Sequence, residues 1–142
     1  MQDYDKLRGH DLLQGEFDWK KGKLVETLII SINPTLRPTA NPRGIDCIDN
    51  EGNLVELKAS FDGVCWIELE DGYGRPKQIQ RSDRIHKVNV KEDYLVIGRT
   101  SDVIELAYAQ PKRYLKDDLC AAIDWNSDVW FHRVDLNNYA DW

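Results

Sequence analysis

Two short strand-like runs, residues 45–49 (IDCID) and 54–60 (LVELKAS), flank the turn residues NEGN, and this stretch constrains the fold more than any other. Asn and Gly between two apolar runs are a hairpin signal, and a short turn fixes how the runs pair. Residues i and i+2 of a strand share a face. Glu56 and Lys58 therefore project together, while Val55 and Leu57 turn to an apolar opposite side that belongs in a core. A turn at positions 50–53 brings Asp46 back beside Glu56. Two carboxylates and one ammonium then converge on one patch.

The remaining elements follow from periodicity. Residues 22–32 (GKLVETLIISI) place Leu24, Val25, Leu28, Ile29 and Ile32 at helical spacing, and Asn33-Pro34 supplies a stop, so a buried helix is predicted. Residues 33–44 hold three prolines and read as an extended loop. GVCWIELEDG predicts a strand ended by DGYG, and residues 85–90 and 93–98 predict two more. VIELAYA (103–109) reads as a further strand after the turn TSD. PKRYLKDDLCAAI reads as a helix opened by Pro111, and DVWFHRVDL as a last strand. Residues 3–14 are a short polar helix candidate. This order predicts one α/β (α+β) domain over residues 1–142, with a central mixed sheet flanked by helices.

Composition excludes several classes. Cys47, Cys65 and Cys120 are odd in number and far apart, which argues against a disulfide framework and a thiolate zinc site; they read as small buried hydrophobes. His10, His86 and His132 show no metal-binding spacing. No run approaches a membrane helix or a signal-peptide core, so an intracellular, cytoplasmic protein of prokaryotic or phage type is expected, with no membrane partner. The net charge of -6 argues against a polyanion partner, but its distribution does not. Between Arg75 and Lys91 lie six basic residues and one acid, whereas residues 117–142 carry six Asp against Arg133. Trp125, Trp130 and Trp142 read as core or dimer contacts.

The acid–acid–lysine patch suits phosphodiester hydrolysis. Asp46, Glu56 and the carbonyl of Leu57 are oxygen donors of the kind a hard divalent cation takes. Such a cation polarises a phosphate and acidifies a bound water. Lys58 is placed to stabilise charge that develops in the transition state, or to position the attacking water. A surface hairpin with weak ion pairs would show the same three residue types.

The spacing also carries a resemblance. Gly44-Ile45-Asp46, followed after nine residues by Glu56-Leu57-Lys58, resembles the PD-(D/E)xK nuclease signature, although Pro42 lies four residues before Asp46 rather than next to it. GKLVETLIISINPTLRP with GIDCIDNEGNLVELK, and DYLVIGRTSDVIELAYAQPKRYLKDDL, are similar to the helix, catalytic hairpin and later elements of the PvuII-type restriction endonucleases. Together these segments span roughly half of the chain. The resemblance implies a restriction-endonuclease-like fold and a Mg²⁺-dependent endonuclease, with Mn²⁺ as a substitute. It implies a homodimer that cuts both strands of double-stranded DNA, with Asp46 and Glu56 on the metal and Lys58 in catalysis. PvuII-type enzymes carry a histidine cluster after their ExK; here only His86 follows. Arg75, Lys77, Arg81, Arg84, His86 and Lys87 are the DNA-contact candidates, with Arg and Lys toward phosphates and Gln78, Gln80 and His86 toward base edges. Glu26 is a candidate third acid, unless it faces solvent or pairs with Lys23. A homing, repair or phage nuclease, or a catalytically silent DNA mimic or protein-binding relative, would fit the same fold.

Overall fold

The computed structural model describes residues 25–26, 29–30, 33, 35–39 and 47–136. Asp46, the 3–14 helix candidate and Trp142 lie outside them. Nine strands are described: β1 Arg37–Pro38, β2 Cys47–Ile48, β3 Leu54–Ser60, β4 Trp66–Glu70, β5 Arg84–Asn89, β6 Tyr94–Arg99, β7 Lys112–Leu115, β8 Asp118–Ala122 and β9 Trp130–Asp135. Helix α1 spans Thr100–Ala109, and a 3-10 turn spans Gln78–Arg81.

The hairpin forms as the sequence dictates. Its strands pair antiparallel with Cys47 opposite Val55, and Asp49 closes the turn by accepting the backbone N–H groups of Glu51 and Asn53. The six-stranded sheet runs in the order β1-β2-β3-β5-β6-β9, and β3 and β5 are its one parallel pair. A parallel pair needs a long crossover. Here the crossover holds β4 and the 3-10 turn, and β4 leaves to form a second sheet in the order β4-β8-β7.

Both faces of the large sheet are covered. Val25 and Ile29, in helical conformation as their spacing predicts, pack with Leu57, Val88, Leu95, Ile97 and Val134 on one face. On the other, Ile85, Tyr94 and Val96 meet Ile67, Leu69, Val103, Ala107, Ala121 and Trp130 from β4, α1, β8 and β9. The architecture is thus mixed α/β and rich in strands. Trp130 is core, Trp125 packs against it with its ring edge-on to Tyr94, and all three cysteines are buried thiols.

Two assignments from sequence are corrected. Residues 103–109 belong to a helix, not a strand: Thr100, Val103 and Ala107 recur at helical spacing and are the buried ones. β-branched Val103 and Ile104 give a strand-like look that packing overrides. Residues 112–122 form a hairpin, not a helix. Lys116 and Asp117 adopt the left-handed conformation, with φ of 49° and 72°, which closes a two-residue turn between β7 and β8.

Gly98 sits where β6 meets α1 and β9. A Cβ there would lie 2.8 Å from Val103 Cγ2 and 2.8 Å from the Val129 carbonyl oxygen. Gly98→Ala is expected to lower stability by about 1–3 kcal/mol through overpacking; an unchanged urea-unfolding midpoint would contradict this packing.

Candidate active site

Glu56 and Lys58 project from β3 onto the face that also carries Ile85 and Lys87 of β5, because Glu56 pairs with Ile85 and Lys58 with Lys87 in the parallel register. The Glu56 side chain is 0% exposed, and Lys58 Nζ stands 3.3 Å from its Oε1 with 35% of the lysine side chain exposed. The sequence places Glu56 on an open patch; the structure puts its carboxylate at the floor of a cleft. That cleft has a volume of about 380 Å³, and Glu56, Lys58, Trp66, Lys77, Arg81 and Lys87 contribute to its walls.

Lys87 is enclosed rather than exposed. Its Nζ donates to the Trp66 carbonyl at 2.9 Å. Burial holds its pKa below the ordinary lysine value, and the nearby Lys58 charge acts in the same direction, while Cys65, Glu68 and Glu26 oppose it. Glu26 is therefore within electrostatic reach of this group. It is a buried residue, not a solvent-facing one. Lys77 bridges Asp118 of β8 at 3.1 Å and Glu68 of β4 at 3.8 Å, so the second sheet is tied to the cleft by an ion pair.

The basic segment does not form one surface. Lys77, Gln78, Arg81 and Lys87 line the Glu56 cleft, but Arg84 and His86 alternate to the opposite face of β5. Arg75 is held by Asp71 at 2.8 Å and lies over the Tyr73 ring. Gln80 spends its amide on the Leu69 carbonyl and the Tyr108 hydroxyl. Leu57 faces the core opposite to Glu56.

Trp66 and Glu68 are cleft residues that sequence reasoning missed. The alternation of WIELE puts both on one face of β4, a signal that was legible. Arg113, over the Trp66 ring at 5.6 Å, arrives only because residues 112–122 fold as a hairpin. Among the described residues, no group of three or more His, Cys, Asp or Glu is assembled to hold a metal ion. The carboxylates lining the cleft are Glu56, Glu68 and Asp71. No described helix is long and apolar enough to cross a membrane. Comparison with models of protein families and with curated proteins finds no match to the chain.

His86 is almost wholly buried, and burial is the main cause that brings its pKa from 6.5 down to about 3. A depressed value means that the unfolded chain takes up the proton first as the pH falls. Stability is then lost progressively from about pH 6.5 downward to about pH 3. Replacing His86 by Leu is expected to flatten this acid limb of the unfolding free energy measured against pH. An acid limb equally steep in His86→Leu would assign it to other groups.

Proposed function

We propose that the chain is a Mg²⁺-dependent endodeoxyribonuclease of the PD-(D/E)xK type. It hydrolyses phosphodiester bonds in double-stranded DNA, in the manner of a type II restriction endonuclease and as a homodimer with one site per strand. The observation that carries the proposal is the Glu56–Lys58 pair, on one face of β3 at 3.3 Å, in a cleft that Lys77 and Arg81 also line.

The donor chemistry fits the metal. Glu56 is an oxygen donor, and the proposed partners Asp46 and the Leu57 carbonyl, from the same hairpin, are oxygen donors as well. Hard cations such as Mg²⁺ and Mn²⁺ favour such a set over thiolate or imidazole. Glu56 and Asp46 hold the cation in this reading, with Glu26 as the further acid. When bound, the metal supplies Lewis-acid polarisation of the phosphate and a more acidic water.

The protein's own groups do the rest. Lys58 presents an ammonium toward the cleft, where the phosphate gains negative charge in the transition state, and a preset cation in a partly dry site stabilises that charge strongly. Glu56 keeps the Lys58 ammonium in place. Arg81, exposed at the cleft wall, binds the phosphate backbone and sets the register of the strand.

Supercoiled and linear duplex DNA incubated with the protein and Mg²⁺ should be cut, with loss of cleavage in EDTA. Lys58→Ala should cut at least about 100-fold more slowly, and melting curves would confirm that the variant is folded. Lack of cleavage of duplex, single-stranded and branched DNA with Mg²⁺ or Mn²⁺ would sink the proposal.

A further inference from the structure

A second cleft, of about 370 Å³, opens at the end of the large sheet where β5 begins, on the face opposite to Glu56. Arg84 opens β5, Arg99 ends β6, and the two are register partners. Phe131 of β9 stands beside them with 51% of its surface exposed, which is unusual for a phenylalanine on a strand flanked by two core residues, Trp130 and Val134. Both guanidinium groups lie over its ring, Arg84 at 6.0 Å and Arg99 at 5.2 Å from the centroid.

Two carboxylates, Asp49 and Glu51, line this cleft with the two arginines, but neither is bonded to them. Among the described residues, no carboxylate forms an ion pair with Arg84 or Arg99. Arg84 spends one N–H on the Asp83 carbonyl, which is neutral. The Asp49 carboxylate is taken up by the hairpin turn. Oδ1 accepts from the backbone of Glu51 and Asn53, and Oδ2 accepts the Asn53 amide. Burial works to raise its pKa, yet these hydrogen bonds outweigh it and hold the carboxyl below its usual value.

Two guanidinium groups held against one ring repel each other, and a shared anion removes the repulsion. Arginine forks match phosphate oxygens in particular. A half-exposed aromatic ring next to them offers a stacking surface for a planar group. A nucleotide carries both groups, a planar base and a phosphate joined through a sugar. Bases inside a duplex already stack on their neighbours and offer no free face, so the nucleotide that fits is an unpaired one.

We propose that this cleft binds an unpaired nucleotide of a nucleic-acid strand, with its base on Phe131 and its phosphate between Arg84 and Arg99. The site extends the nuclease reading to a strand that is single or splayed from its complement, and it rests on residues that play no part in the Glu56 chemistry.

The test is fluorescence anisotropy of a labelled ten-nucleotide deoxythymidine strand with the full chain in EDTA, where cleavage is blocked. Phe131→Ala and Arg99→Ala should each weaken binding about tenfold or more, the range set by loss of a base–aromatic stack or an arginine–phosphate contact. Phe131→Tyr should restore it. Lys91→Ala, which removes an exposed cation at the far end of β5, should change binding less than threefold. Three outcomes would overturn the proposal: wild-type affinity in Phe131→Ala, equal losses in Lys91→Ala and Arg99→Ala, or binding of a phosphotyrosine peptide at this cleft without binding of the strand. A chain that cuts duplex DNA but is indifferent to Phe131→Ala would retain the nuclease reading and lose this one. Strand binding with no cleavage under any metal would do the reverse.

Discussion

A carboxylate buried on a central strand has to be paired, and Glu56 is that carboxylate. An isolated charge in an apolar interior costs far more than a small domain can spare. Lys58 answers it from two residues along the same strand, at 3.3 Å, while keeping a third of its own side chain in contact with solvent. The arrangement requires the sheet to be sealed on this face over β5 and β6 but left open over β3. The structure meets that requirement by its layers. α1 and β4 cover Ile85, Tyr94 and Val96, and the cleft begins where that cover ends. Removing Lys58 alone would leave a buried carboxylate without its charged neighbour, which lowers stability. The pair is therefore both a structural element and the centre of the proposed chemistry.

The parts of the fold that were legible are those fixed by local rules. The hairpin follows from its turn residues and the alternation on either side of them, and Glu56 and Lys58 share a face because they are two apart. Strand β4 follows from the same alternation, and β5 and β6 from short runs rich in Ile and Val. The stretch from residue 100 to 122 was misread in both halves for opposite reasons. β-branched residues dominate the local look of α1, although its buried positions are helically spaced. In the second half, Pro111 suggests a helix start, and the left-handed pair Lys116–Asp117 lacks the Gly or Asn that would have announced a turn. The cost of the left-handed conformation at these residues is met by pairing β7 to β8 and β8 to β4, which no local rule reveals.

The basic segment shows the same limit at the level of the site. A run of Lys and Arg looks continuous in sequence, but a strand sends alternate residues to opposite faces. Arg84 and His86 therefore part from Lys87, and the two sets line different clefts. Burial of His86 and Lys87 follows from their place in the middle of a sheet packed on both sides, and neither residue type signals it. Glu26 was legible as a candidate acid, and its burial near Lys87 gives that candidacy a physical basis that its helix position alone does not.

The charge balance then bears on how such a protein can hold a polyanion at all. Lys77 is neutralised by Asp118 and Glu68, Arg75 by Asp71, and Lys87 is buried against a carbonyl. The cleft keeps few cations for phosphates, in a chain whose net charge is -6. Binding built on counterion release alone scales with the number of phosphate contacts, so a handful yields weak affinity that falls with added salt. A chain of this charge has to draw on contacts that salt does not screen. The proposed site at Phe131, with Arg84 and Arg99 beside its ring, is such a contact. Under that proposal, stacking of an unpaired base on the ring supplies affinity that does not depend on net charge. In the proposed reading, the acidic composition is compatible with a nucleic-acid ligand because a few cations backed by an aromatic face take the place of a broad basic surface.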